Sequence, residues 1–235
     1  MNKNLDILAF AAHPDDAELA CGGTLIKEAN NGAKTGIVDF TLGQLGTRGT
    51  PALRLQESIK AAKVMDLSAR ENLELEDGYF TNDKATLHKV IEAIRKHKPS
   101  IVLCNAISDR HPDHGRAHTI VREACFYSGL SKIDTNQEPH RPKQVFSYIQ
   151  DHNLKPDFIL DITKEFDKKM DAILCYSSQF YSPEDTKPKT PISSKDFISF
   201  LEARAREYGR IIGVKYGEGF NSHLPLKANS ILDLS

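Results

Sequence analysis

Two short clusters of ionisable residues could do chemistry in this chain. One is His13-Pro14-Asp15-Asp16, followed by Glu18; the other is His111-Pro112-Asp113-His114, followed by His118. Imidazole and carboxylate together suit Zn²⁺, and a catalytic zinc site keeps three protein ligands and one open position. His13 and Asp16 are three residues apart with a proline between them, so both can turn toward one ion. The second cluster must supply the third ligand. His114 and His118 share a helix face at i and i+4, and His111 lies in the loop before it, so spacing leaves all three open. Side chains of neighbouring residues diverge, so if Asp16 binds the ion, Asp15 is free to act as general base on water. Zinc lowers the pKa of bound water to about 7, within reach of a carboxylate. A histidine beside the metal can protonate a leaving group or stabilise an oxyanion. The competing reading makes HPDD a turn whose aspartate caps the next helix. It also makes the second cluster's histidine pair incidental.

The elements around the clusters decide between these readings. "LDILAFAAH" is a continuous apolar run of the kind buried on both faces of a parallel sheet. "DDAELACGGTLIKEANNG" reads as a helix, in which Gly22 and Gly23 are costly unless the backbone must approach the sheet closely. "KTGIVDFT" is a second strand and is followed by a helix over 52–66 with an apolar stripe at Leu55, Ile59, Ala62 and Met65. "ENLELEDG" and "SIVLCNA" are the third and fourth strands, separated by the helix "KATLHKVIEAIRKHKP". A further helix is expected over 115–128. Farther on come the strands "QVFSYI" and "FILDI", and the helix "EFDKKMDAILCYSSQF". An exposed loop follows over 182–193, and a last helix sets Phe197, Leu201, Ala205, Tyr208 and Ile212 on one face, ending at Gly213.

Alternating strands and helices predict an α/β fold: one Rossmann-like, doubly wound, mostly parallel sheet of order 3-2-1-4-5, with residues 1–235 as a single domain. In that order the first and fourth strands are neighbours whose connections leave to opposite faces. Their carboxyl ends form the crevice where open α/β sheets bind ligands. The two clusters follow those two strands, so they are expected to meet there.

Arg48 and Arg54 follow the second strand and overhang the same crevice, where a guanidinium suits a carboxylate or phosphate. The plainer reading leaves Arg54 on the helix surface beside Glu57 or Ser58. The loop "GQLGTRGTP" lacks the phosphate-binding glycine-lysine pattern, and no G-x-G-x-x-G follows the first strand, which argues against a nucleotide enzyme. With 31 basic and 32 acidic side chains, the charge balance gives no support for a nucleic-acid surface or an anionic membrane. Cys21, Cys104, Cys125 and Cys175 are widely spaced, as expected of free thiols in a reducing cytoplasm. They are expected to be core residues. His88, His97, His140, His152 and His223 have no comparable neighbours and are expected to be surface or structural. No apolar run approaches the roughly 20 residues of a membrane helix.

"AAHPDDAELACGGTL" and "DRHPDHGRAH" resemble the PIG-L/LmbE-like family of zinc-dependent N-acetylglucosaminide deacetylases. "GTRGTPALRLQESIKAAKVM", "SSQF" and "GVKYGEGF" resemble it too, so the likeness spans nearly the whole chain. Within the family the chain is most similar to the bacillithiol-biosynthesis deacetylases of the first type, which act on N-acetylglucosaminyl malate. The resemblance implies His13, Asp16 and His114 as zinc ligands, with Fe²⁺ able to use the same donors. It implies Asp15 as general base, His111 as the imidazolium at the oxyanion or departing amine, and Asp113 as the residue that holds His111. It implies that Arg54 grips the substrate, and that the protein is a homo-oligomer, a trimer or hexamer. It carries no role to His118, and Tyr176 stands where the family often has histidine. The expected reaction is removal of acetate from a small N-acetylglucosamine conjugate. The competing functions are phosphoester hydrolysis and non-catalytic metal or sugar binding.

Overall fold

A computed structural model describes residues 4–181 and 186–234. The chain runs β1 (Ile7–Ala11), α1 (Asp16–Asn30), β2 (Thr35–Thr41), α2 (Pro51–Val64), β3 (Ala69–Leu75), α3 (Lys84–His97) and β4 (Ile101–Cys104). It continues with α4 (Pro112–Tyr127), β5 (Gln144–Tyr148), β6 (Phe158–Asp161), α5 (Phe166–Leu174), α6 (Lys195–Ile211) and β7 (Gly217–Ser222). A short 3-10 turn, Ile231–Leu234, ends the described chain. No helix among the described residues is long and apolar enough to cross a membrane.

The seven strands among the described residues form one sheet in the order β3-β2-β1-β4-β5-β7-β6. The expected order 3-2-1-4-5 is present as its parallel part. β7 was not expected as a strand. It lies between β5 and β6, antiparallel to both. Its sequence, GEGFNS, hides it because glycine is a poor strand former. Tertiary packing requires the glycines: a Cβ on Gly217 would lie 2.7 Å from Ile159 Cγ2.

Every residue of β1 and β2 is buried, as the apolar runs predict. Alternate residues serve two cores. Leu8, Phe10, Val38 and Phe40 pack with Val90, Ile94, Ile120 and Val121 of α3 and α4 on one face. Ile7, Ala9, Ala11 and Ile37 pack with Ala17, Leu25, Ile26 and Met65 on the other. Helices α1 and α4 therefore leave the adjacent strands β1 and β4 on opposite faces. The edge strand β3 carries Arg70, Glu71 and Glu74, charges that discourage pairing with another chain.

Helix α1 explains its paired glycines. It kinks at Cys21, where φ is −134°. The amides freed just beyond the kink are met by Glu218: Gly23 N donates to Oε1 at 2.9 Å and Thr24 N to Oε2 at 2.7 Å. Lys169 Nζ neutralises that buried carboxylate at 2.6 Å. A Cβ on Gly23 would lie 2.8 Å from Ile162 Cδ1, so the close approach is real.

Helix α2 departs from its expected stripe. Leu55 and Ile59 are exposed, while Arg54, Glu57, Ser58 and Ala61 are buried. The helix turns its polar face inward because that face meets the carboxyl end of the sheet. Ser178 donates to Glu57 from both its backbone N–H and its Oγ, at 2.7 Å each, which explains the SSQF segment. On α6, Leu201, Ala205 and Tyr208 are buried as expected, but Ile212 is exposed. Part of the loop expected over 182–193, residues 182–185, lies outside the described residues.

Candidate metal and catalytic site

The two clusters meet. His111 and His13 rings lie 4.6 Å apart, His111 and His114 rings 5.2 Å. Helix α4 begins at Pro112, three residues before the expected start, because a proline at the first helical position is preorganised. Its first turn therefore carries Asp113 and His114 into the crevice.

Asp16 sits between the two strand ends. Its Oδ1 is 3.1 Å from His114 Nε2, and its Oδ2 is 3.6 Å from His13 Nδ1. Donor nitrogens of His13, His111 and His114 also lie within 4.8 Å of one another. Carboxylates hold the far side of each ring. Asp109 Oδ2 is 2.5 Å from His114 Nδ1, while Asp77 Oδ1 and Asp113 Oδ2 are 3.0 Å and 3.3 Å from His13 Nε2. Such carboxylate–imidazole pairs orient metal ligands and raise their basicity. Asp16 is itself fixed by donation from Asn105 Nδ2 at 3.1 Å, Gln150 Nε2 at 3.0 Å and His13 N at 3.0 Å. The donor set fits a metal ion held by His13, Asp16 and His114, with His111 close by.

The electrostatics follow from burial and pairing. Burial opposes charge on His13, but the carboxylates of Asp113, Asp16 and Asp77 outweigh it and raise the imidazole well above its usual range. Burial likewise opposes charge on His114, and Asp16 and Asp109 raise it to about 9. Burial would raise Asp16, yet His114 and His13 hold it well below the usual carboxylate range. Burial and the neighbouring histidines lower His111.

Asp15 occupies the N-cap position of α1 with φ 114° and makes no side-chain capping bond. The helix-capping reading of HPDD therefore fails for this residue. A positive φ on a non-glycine residue is strained, and such strain clusters at functional sites. Burial raises its carboxyl to about 7, against the opposing pull of Arg54. Arg54 Nη2 lies 3.2 Å from Asp15 Oδ2 and also donates to the Pro14 carbonyl oxygen.

These groups line a cavity of about 220 Å³ that holds His13, Asp15, Asp16, Arg54, His111 and His114. Leu19, Ile192, Phe197 and Leu201 give it one apolar wall. Arg48 is buried but does not line this cavity; Gln179 Nε2 donates to its carbonyl oxygen at 2.7 Å.

Other expectations change. The Asp113 carboxylate was expected to hold His111. It reaches His13, Gly78 N at 3.0 Å and Arg116 Nη1 at 2.6 Å, while its backbone N–H donates to His111 Nδ1 at 3.3 Å. The helix start imposes this, since a first-turn amide points back to the cap residue. Tyr176 is fully buried away from the cavity, donating to Glu18 Oε1 at 2.7 Å and accepting from Arg70 Nη2 at 2.9 Å. His97 pairs with Glu71 at 2.8 Å, and His140 with the Pro99 carbonyl oxygen at 2.7 Å, as structural histidines. His223 is not isolated: its ring lies 5.1 Å from that of His118.

Sequence reasoning missed Asp77, Asp109, Asn105 and Gln150, which orient the ligands, and Arg110 and Arg204, which line the cavity. A signal existed for Asn105 and Asp109, since both follow the fourth strand. None existed for Gln150 or Arg204.

The family profile described as GlcNAc-PI de-N-acetylase (PIG-L) matches residues 8–125. The diacetylchitobiose deacetylase of Thermococcus kodakarensis is 26% identical over 228 residues, covering 91% of this chain and 81% of that protein. The 4-oxalmesaconate hydratase of Pseudomonas putida is 26% identical over 245 residues, covering 93% and 89%. The probable N-acetyl-alpha-D-glucosaminyl L-malate deacetylase 2 of Bacillus anthracis is 27% identical over 199 residues, covering 77% and 84%. Among solved structures, the conserved protein TT1542 of Thermus thermophilus superposes with a TM-score of 0.88 at 35% identity, over 97% of this chain and 98% of that one.

Proposed function

We propose, since the chain belongs to the PIG-L family of metal-dependent deacetylases, that it hydrolyses the N-acetyl amide of an N-acetylglucosamine conjugate in the cavity between β1 and β4. The observation that carries this reading is Asp15: a strained, buried carboxylate beside the ligand set with no capping role, the placement a general base needs.

In this reading His13, Asp16 and His114 hold Zn²⁺, for which Fe²⁺ is the alternative. When bound, the ion supplies Lewis-acid polarisation of the acetyl carbonyl and of water. Asp15 accepts the proton of the attacking water, and Arg54 keeps the Asp15 carboxylate aimed. His111 accepts the Asp113 N–H at Nδ1, so its own proton resides on Nε2, available to the oxygen on which charge develops. The C–N bond then breaks, the proton taken up by Asp15 passes to the departing nitrogen, and acetate and the free amine leave. Asp113 serves this by orienting His13.

For the aglycone we propose malate, as in bacillithiol biosynthesis. The similarity to the Bacillus anthracis protein supports it, as do the guanidinium groups of Arg110 and Arg204 in the cavity wall, which suit carboxylates. Arg54 lines the same cavity and is a further contact for the substrate, whereas Arg48, outside the cavity lining, is given no substrate role. The protein is proposed to work as one domain, in a homo-oligomer, in the cytoplasm. Its free cysteines suit a reducing compartment, and the exposed Leu55 and Ile59 of α2 suit a subunit contact.

Amine release from malate, inositol and chitooligosaccharide conjugates of N-acetylglucosamine tests the reading, with metal analysis alongside. Asp15→Asn is expected to keep the metal and lose about 10²–10⁴-fold in kcat. Wild-type amine release by that variant would remove Asp15 from the mechanism. Preference for another conjugate would overturn malate alone. Water addition, the chemistry in the name of the Pseudomonas putida relative, is the second reading, because a water-activating carboxylate serves it equally. Bound metal with no amine release would put it first.

A further inference from the structure

A second cluster of ligand atoms lies outside the cavity just described. Cys104 ends β4, His118 is in the second turn of α4, and His223 directly follows β7. One donor atom from each lies within 4.8 Å of the other two. None of the three lines the catalytic cavity. Cys104 Sγ is 3.8 Å from His118 Nδ1. Ser147 Oγ, on β5, sits among all three donors, 2.9 Å from His223 Nε2, 3.1 Å from His118 Nδ1 and 3.6 Å from Cys104 Sγ.

Packing alone does not account for this group. Cys104 and Ser147 are fully buried and His118 is 3% exposed. Both imidazoles are in the neutral form that binds metal: burial lowers His118, and burial with Arg122 and His118 lowers His223 to about 4. Burial pushes the Cys104 thiol up to about 12, so a thiolate there needs a cation beside it. A bound metal ion deprotonates its thiol outright.

We propose that Cys104, His118 and His223 form a second metal site, for a borderline-soft divalent cation of the Zn²⁺ class, with the Ser147 hydroxyl as fourth donor. One sulfur, two nitrogens and one oxygen make a four-ligand set of the closed, structural kind. Loading releases the thiol proton, and the ion takes the place of the Asn105 carbonyl oxygen, 3.1 Å from His118 Nδ1, as the single proton of that ring moves to Nε2. The ion would tie the segment after β7 to β4 and α4, fastening the strand inserted between β5 and β6. The half-buried His223 is the ligand through which an ion enters.

The sulfur separates this site from the catalytic one, whose donors are nitrogen and oxygen only. The full-length protein, stripped of metal and kept reduced with a phosphine, is titrated with Co²⁺ and followed by absorption. The expected result is two Co²⁺ per chain and a near-ultraviolet thiolate-to-cobalt charge-transfer band. His223→Ala and Cys104→Ser are each expected to abolish the band and one of the two equivalents, leaving the other bound. Binding of a single equivalent without the band, or a band that survives Cys104→Ser, overturns the proposal. Neither readout depends on deacetylase activity, so the second site and the proposed reaction fail independently.

Discussion

The Arg54 guanidinium is bound to the Asp15 carboxylate, 3.2 Å from Oδ2, and to the carbonyl oxygen of Pro14, all three residues lying beneath the surface. A side chain from α2 thus pins the turn between β1 and α1 at its most strained residue. Breaking a buried pair by removing one partner is strongly destabilising, of order 3–5 kcal/mol, because the other charge is left uncompensated.

For Arg54→Met, the expected outcome is a fall in kcat/KM of about 10²-fold, the scale of a small misplacement of a catalytic group. Arg54 lowers the Asp15 carboxyl, so its removal raises that carboxyl further. Activity that needs the ionised carboxylate then needs a higher pH, and the acid limb of the kcat/KM profile moves upward. An unmoved limb would separate Arg54 from Asp15. Arg54→Lys, which keeps the charge, should return the limb toward its wild-type position.

The Asp109 side chain is covered and orients His114 from behind. Asp109→Ala is expected to weaken metal binding by about 10–100-fold. Competition against a chromophoric chelator measures this without reference to substrate. Equal affinity in the variant would show that His114 needs no such support.

Glu71 on β3 pairs with His97 at 2.8 Å and with Lys96, and these bonds lower its carboxyl to about 2, His97 contributing most. A carboxylate depressed in the folded state stabilises above its unfolded value, here 4.5, and loses that contribution as pH falls toward the folded value. Glu71→Gln should therefore lower Tm by a few degrees at neutral pH, for a loss of about 1 kcal/mol. The gap between the two proteins should close as pH falls from 4.5 toward 2. A gap that stays constant with pH would assign the effect to packing.

Gly23→Ala puts a methyl group 2.8 Å from Ile162 Cδ1. Overpacking of this kind costs about 1–3 kcal/mol. The same substitution should cost less in an Ile162→Val background, where Cδ1 is gone. Denaturant melts of the four proteins in the cycle measure the coupling, and strict additivity would mean that the helix shifts instead of clashing.

The sequence by itself determined the parallel half of the sheet and the meeting of the two histidine-aspartate clusters. Both rest on local facts: apolar runs of strand length, helix periodicity, and the rule that an order of 3-2-1-4 brings the first and fourth strands side by side. Tertiary structure alone decided what surrounds them. The insertion of β7 between β5 and β6 depends on close approaches to Gly217 that no propensity reveals. The burial of Arg54 and exposure of Leu55 reverse the apolar pattern of α2, because that helix lies over a polar crevice. Gln150 reaches Asp16 across 134 residues of sequence, and His223 reaches Ser147 across 76. A side chain's spacing in sequence governs only its neighbours within a turn or a strand. Its partners farther away are set by how the sheet closes, and in this chain such partners orient His13 and Asp16.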